Sequence, residues 1–264
     1  MLELNQIYKV FNEGTPDEKI ALNQISLQVQ QGDFVTVIGS NGAGKSTLFN
    51  IIAGRLFADH GSVTIDGTDV SGLPEHKRSK YIGRVFQDPM AGTSPTLTIE
   101  ENLAIAYARV QRRSLRPGVT ARRRLFFKAK LETLGLGLEN RLQAKVGLLS
   151  GGERQALSLL MATFTDPKIL LLDEHTAALD PSRAELVTNL TKTLVENGKL
   201  TTIMITHNMQ QAVDLGNKLV MMDSGKIIYE AGEETKKNLK VQDLLNEFTK
   251  MKTNGELSDR TLLV

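Results

Sequence analysis

Gly39-Ser40-Asn41-Gly42-Ala43-Gly44-Lys45-Ser46 has the residue types and spacing that a polyphosphate requires of a polypeptide. Glycines let successive backbone N–H groups curl inward around phosphate oxygens. A helix opening at about Lys45 adds the partial positive charge of its N-terminus. The stretch fits the P-loop pattern, in which Lys45 reaches the β- and γ-phosphates and the Ser46 hydroxyl ligates Mg²⁺, with Thr47 continuing the loop into the helix. Its context also fits, because a buried strand is expected over Phe34–Ile38 just before it.

A second group follows much later. Ile169-Leu-Leu-Leu-Asp173-Glu174 reads as an apolar strand ending in two acids. Asp173 at a strand's carboxyl end is suited to hold Mg²⁺ through water. Glu174 beside it is the natural general base to orient and deprotonate an attacking water. Acids often cap strands and begin turns, but paired with a P-loop these two read as the other half of a nucleotide site.

These groups need elements to position them, and the pattern supplies an α/β architecture. Short, branched, unalternating apolar runs at Phe34–Ile38, Ile169–Leu172, Thr201–Ile205 and Leu219–Met222 read as parallel strands buried on both faces. Between them lie helical patterns. Leu186, Val187, Leu190 and Leu194 recur at helical spacing after Asp180-Pro181, a good N-cap with proline at the first helical position. The first third is strand-like with turns: Leu2–Tyr8, Ile25–Val29, and Val63–Ile65 before Asp66-Gly67. It predicts an antiparallel sheet beside the parallel core. From about Ile99 to Leu136 the pattern turns helical, as an insertion into that core. One amphipathic helix (Val241, Leu244, Leu245, Phe248) lies in the tail.

Composition sets bounds. In 264 residues, 41% hydrophobic and 23% charged, there is material for a sizeable core. No apolar run approaches the roughly 18–20 residues of a membrane-spanning helix, and the N-terminus lacks the apolar stretch of a signal peptide. The absence of cysteine excludes disulfides and thiol catalysis. The net charge of +2 is uneven: Arg109 to Lys130 holds nine basic residues and no acid, leaving −7 elsewhere. That run could face anionic lipid, bind nucleic acid, or form a solvated helix face. Its only aromatic interleaving is Phe126-Phe127, too little for a nucleic-acid platform, and no nucleic-acid partner is expected.

Leu149-Ser150-Gly151-Gly152-Glu153-Arg154-Gln155 resembles the signature motif of ABC ATPases, and further motifs follow the family's order over roughly residues 1–230. Gln87, ending the strand Ile82–Phe86, resembles the Q-loop glutamine, which also approaches the metal. Ala177-Ala178-Leu179-Asp180 resembles the D-loop, and His207 the switch histidine. Phe11 stands where the family places an aromatic on adenine, with Tyr8 as its rival. Asp88–Pro95 and Leu159–Thr163 resemble the branch found with tryptophan/tyrosine-type uptake systems. His175 departs from the proline that many relatives carry after the glutamate.

The resemblance implies a RecA-like P-loop NTPase core with an antiparallel β subdomain. It implies one ATPase domain over residues 1–232 with a helical subdomain inserted at about 88–165, then a C-terminal helix and flexible tail over 233–264. It implies ATP and Mg²⁺ as ligands, and a head-to-tail homodimer in which Ser150, Gly151 and Gly152 of each subunit close on the other's γ-phosphate. Ser150 and Glu153 also satisfy a capping box, the structural alternative for Glu153. Expected partners are an integral membrane permease, docking on about Asp88 to Ala106, and an extracytoplasmic substrate-binding protein. The chain would sit on the cytoplasmic face of the membrane, serving import of an amino acid or similar small solute. The rival reading is a soluble ABC ATPase in iron–sulfur-type cofactor assembly.

Overall fold

The computed structural model describes residues 1–109 and 117–253, with side chains to Thr249. Arg112, Arg113 and Arg116 of the basic run and residues 254–264 of the tail lie outside the described residues. In chain order the elements are β1 (Leu2–Phe11), β2 (Lys19–Val29), β3 (Phe34–Gly39), α1 (Lys45–Ala53), β4 (His60–Ile65), β5 (Thr68–Asp69) and α2 (Glu75–Arg78). Then come β6 (Ile82–Val85), α3 (Ile99–Ala108), α4 (Ala121–Glu132), α5 (Gly151–Thr163), β7 (Ile169–Asp173) and α6 (Pro181–Gly198). The chain closes with β8 (Thr201–Ile205), α7 (Met209–Asp214), β9 (Lys218–Asp223), β10 (Lys226–Ala231), α8 (Glu233–Lys236) and α9 (Val241–Thr253). They form two units, one of Met1–Tyr81 with Thr201–Val264 and the other of Ile82–Leu200.

The first unit holds two sheets. Strands β2, β1, β4 and β5 form the antiparallel sheet expected from the alternating N-terminal pattern. Asp66-Gly67 makes its tight hairpin, both residues at positive φ. In the other sheet β3 is flanked by β8 and β9, both parallel to it, and β10 adds an antiparallel edge. All six residues of β3 and all five of β8 are buried, as strands covered on both faces must be. The β10 edge, reached through the positive-φ turn Ser224-Gly225, was not read from the sequence. Helix α9 seats Leu244 and Phe248 in a cluster with Ile38, Leu219 and Met221, so the tail helix belongs to this unit's core.

The second unit pairs β6 and β7 in parallel and gathers its helices around one cluster. Ile99 and Leu103 of α3, Phe127 and Leu131 of α4, and Leu157 and Leu160 of α5 share that core. Helix α6 turns its apolar side inward with one departure from the predicted face. Leu186 is 40% exposed, while Thr191 is fully buried. Burial of Thr191 is tolerable because its hydroxyl is satisfied by the Val187 carbonyl at 2.8 Å.

Part of the basic run is consumed here. The Arg124 guanidinium makes two hydrogen bonds to the Glu100 carboxylate, at 2.6 and 3.0 Å, and holds it below the ordinary glutamate range. Arg109 is held by the Met161 carbonyl. Arg123 lies over the Tyr107 ring and Lys130 over Phe126.

Candidate nucleotide site

In the first unit, β3 delivers the glycine-rich loop and α1 receives it. Two of its glycines are demanded by close approach. A Cβ on Gly39 would stand 2.1 Å from the Met222 carbonyl oxygen, and one on Gly44 would stand 2.5 Å from that of Ala21. Gly44, at φ 100°, is the N-cap of α1 and supplies no side-chain cap, and the first turn holds no acid. The cap residue therefore offers no side chain to the N–H groups that this helix leaves without internal partners, and around them Asn41, Gly42 and Ser46 are exposed, with Thr47 half-buried. Lys45 is only 5% exposed; its Nζ donates to the Gly39 and Ser40 carbonyls at 2.7 and 2.9 Å. Uncapped N–H groups, left-handed glycines and a cation beside them fit a bound polyphosphate, and the Ser46 hydroxyl is a hard oxygen donor of the type Mg²⁺ takes.

Other residues brace this loop, and none was singled out from the sequence. Ser40 donates to the buried Asp223 carboxylate at 2.9 Å, and Gly225 N–H donates to the Ala43 carbonyl at 3.1 Å. Both come from the end of β9 and the turn after it. At the other end of α1, the Arg78 guanidinium, 1% exposed, donates to the Ile51 and Ile52 carbonyls at 2.7 and 2.9 Å. A cation on the last carbonyls complements the helix dipole. Signals existed only for the glycines; buried cations and anions look like surface residues in a sequence.

Phe11, half-buried at the end of β1, is paired across the sheet with Lys19. Tyr8 instead lies against His60, ring centroids 5.9 Å apart. His207 is exposed and follows β8 at the same carboxyl edge of the sheet from which the loop leaves β3. Next to it, Thr206 Oγ1 accepts from Asn208 N–H at 3.0 Å, and Asn208 caps α7 through Gln211 N–H at 3.0 Å. Ligands of open α/β sheets sit at such carboxyl edges.

In the second unit, Gln87 is exposed just beyond β6, and Asp173 ends β7. Asp173 makes a 2.8 Å ion pair with Arg84 of β6, a partner that the sequence did not suggest. Glu174 follows at φ 46°, a left-handed conformation that costs a non-glycine residue about 1 kcal/mol or more. His175 next to it is 3% exposed, and its Nε2 lies 2.9 Å from Thr191 Oγ1. Because that hydroxyl already donates to Val187, Nε2 carries the proton and donates. Burial pushes the His175 pKa down to about 4, so the ring is neutral near pH 7.

Ser150 is the N-cap of α5, and both halves of the capping box are present. Its Oγ accepts from Glu153 N–H at 3.3 Å, and the Glu153 carboxylate accepts from Ser150 N–H at 2.7 Å. Glu153 also pairs with Arg141 at 2.8 Å, consistent with a structural part for this residue. A Cβ on Gly151 would meet Leu179 Cδ2 at 3.3 Å, and one on Gly152 would meet Arg183 at 3.2 Å. Gln155, fully buried, donates from Nε2 to the Phe86 carbonyl at 3.1 Å and so ties the signature helix to the start of the Gln87 loop. Asp180 caps α6 through Arg183 N–H at 3.2 Å. Phe11, Lys45, Ser46 and His207 thus belong to one unit; Gln87, Ser150, Asp173, Glu174 and Asp180 belong to the other.

A parallel sheet whose strand runs through such a loop into a helix defines a P-loop NTPase fold, and solved structures agree. The chain superposes on the dimeric ATP-binding cassette MJ0796 in a post-hydrolysis state bound to ADP and Pi, with a TM-score of 0.75 and 28% identity, over 88% of this chain and 98% of that one. It superposes on the cassette MJ1267 with a TM-score of 0.76 and 31% identity, over 94% and 98%. The chain belongs to the ABC transporter family, whose model matches residues 22–177. A tyrosine transport ATP-binding protein of Clostridioides difficile is 39% identical to it, over 94% of this chain and 98% of the relative. That agrees with the branch suggested by Asp88–Pro95 and Leu159–Thr163. The methionine import ATP-binding protein MetN of Corynebacterium efficiens is 31% identical over 86% of this chain, which spans only 61% of that protein. Among the described residues no helix is long and apolar enough to cross a membrane.

Proposed function

We propose that this chain binds and hydrolyses MgATP as a homodimer at the cytoplasmic face of the membrane and there drives a separate permease that imports an aromatic amino acid or a similar small solute. The observation that carries the reading is the N-terminus of α1, without a side-chain cap, a phosphate cradle in a chain similar over 94% of its length to a tyrosine transport ATP-binding protein. Phe11 would stack on adenine. The loop Gly39–Thr47 would wrap the phosphates, with Lys45 on the γ-phosphoryl group. Ser46, Asp173 and Gln87 would hold Mg²⁺, which supplies charge neutralisation of the β- and γ-phosphates. Glu174 would take the proton of the attacking water, with His207 and the partner subunit's signature motif stabilising the charge that develops on the γ-phosphoryl group. Because Ser150 would complete the other subunit's site, ATP binding would draw two copies together and hydrolysis would release them.

Glu174→Gln removes the base while leaving the phosphate loop intact. The tagged variant with ATP is expected to form a stable dimer and to retrieve a polytopic permease with a binding protein from detergent-solubilised membranes. A monomer in saturating ATP would overturn the dimer mechanism. Retrieval of soluble partners alone would replace the importer with a permease-free ABC ATPase.

A further inference from the structure

The register of the antiparallel sheet places Lys19 of β2 directly opposite Phe11 of β1. Side chains at directly opposed positions share one face of the sheet. Lys19 is exposed, and its Nζ reaches to 3.7 Å from where a Cβ on Gly42 would stand, at the open mouth of the glycine-rich loop. The backbone next to it is fixed on that loop as well, because Ala21 O lies against Gly44 closely enough to forbid a side chain there. One side chain therefore runs from the cross-strand partner of the aromatic to the phosphate loop.

We propose that Lys19 is a further nucleotide-binding residue, its ammonium contacting the α- and β-phosphates between Phe11 and the loop. The inference rests on the ATP-binding reading above and deepens it. A nucleotide that stacks its base on Phe11 and its terminal phosphates on Gly39–Lys45 must lay its α-phosphate and ribose between them, where Lys19 extends. The neighbouring cations are otherwise engaged: Lys9 is paired with Asp59 at 2.6 Å, and Lys45 is turned onto loop carbonyls. Of the nearby acids, Glu18 accepts from Gly14 N–H at 2.8 Å, and no carboxylate among the described residues pairs with Lys19. An unpaired ammonium beside a phosphate cradle adds attraction that salt screens.

Binding of fluorescent ADP and ATP analogues to the full-length protein tests this, with wild type, Lys19→Ala and Lys19→Arg compared at low and high salt. Lys19 is exposed, so circular dichroism should report the same fold in all three. Lys19→Ala is expected to weaken ADP and ATP alike by about threefold to tenfold at low salt, with the difference shrinking at high salt. Lys19→Arg should recover most of the loss. Equal affinities for wild type and Lys19→Ala would overturn the inference. So would a loss confined to ATP, which would put the ammonium on the γ-phosphate instead. A wild-type protein that bound neither nucleotide would overturn the ATP reading itself, and this inference with it.

Discussion

Two helices in this chain begin at glycine-rich sequences, and their N-termini are built in opposite ways. Helix α1 starts from left-handed Gly44 with neither a side-chain cap nor an acid in its first turn. Helix α5 starts from Ser150 with a complete capping box and an acid three residues in. Every helix leaves its first N–H groups without internal partners. In α1 no side chain of the cap residue takes any of them, which leaves this end suited to an anion. In α5 the chain has satisfied part of the set by itself, and Ser150 would have to serve a phosphate with a side chain already holding the helix end. The same motif style therefore marks one end that waits for an anion and one that stands without it.

The largest expected effect separates the two. Lys45→Ala should reduce phosphate release by the purified protein at least about a hundredfold. It should also abolish the rise in melting temperature that saturating ATP produces, which at a hundredfold excess over the dissociation constant corresponds to about 2.7 kcal/mol. Retention of both would take the start of α1 out of the nucleotide site and end the contrast.

The same glycine-to-alanine change can then be made at each end. At Gly44 the φ of 100° and a Cβ 2.5 Å from Ala21 O leave no relaxed solution, so Gly44→Ala should cost about 1–3 kcal/mol in urea unfolding. At Gly151 the new Cβ would meet only a flexible leucine methyl at 3.3 Å. Alanine is also the better helix former, so Gly151→Ala should change stability by well under about 1 kcal/mol. Equal costs at the two positions would show that backbone strain is not what distinguishes them.

Ser150 can be tested for its two roles separately. Ser150→Ala removes the cap and should cost about 1 kcal/mol. Ser150→Asp keeps a good cap and should unfold near the wild-type urea midpoint. It would nevertheless set a carboxylate against a γ-phosphate, so ATP hydrolysis should fall in Ser150→Asp even though stability does not. If hydrolysis survived, Ser150 would be a cap alone.

Much of this was legible because the relevant physics is local. The glycine spacing of Gly39–Ser46, the branched runs of β3 and β8, the Asp66-Gly67 hairpin and the caps at Ser150 and Asp180 all follow from the needs of a backbone within a few residues. What escaped was long-range. Arg78 and Asp223 carry no sequence signal of burial, since their hydrogen-bond partners lie far off or are backbone groups that any sequence possesses. Arg84 meets Asp173 only once β6 and β7 pair in register. Lys19 reads as an ordinary solvated lysine until the β1–β2 register sets it opposite Phe11. Thr191 outranks Leu186 for the buried side of α6 because a hydroxyl that bonds back to its own helix and accepts from His175 can afford the interior.

The smallest effect concerns pH, because of these two helix starts that of α5 is capped by a titratable side chain and that of α1 by none. Burial tends to raise the Glu153 pKa, but hydrogen bonds from the Ser150 backbone and hydroxyl, with Arg141 close by, outweigh it and leave the carboxyl below its ordinary value of 4.5. The unfolded chain then binds this proton more readily than the folded one. Glu153 therefore contributes stability above about pH 4.5 that is lost as pH falls through the lower folded pKa. Glu153→Gln keeps an acceptor but cannot titrate. Other carboxylates titrate in both proteins, so the difference between wild-type and variant unfolding free energies isolates this residue. That difference should shrink by a few tenths of a kcal/mol as the pH is lowered from about 6 toward 3.5. A difference that stayed constant across this range would mean that the Glu153 carboxylate does not hold the start of α5. The capping of α5 would then rest on the Ser150 hydroxyl alone.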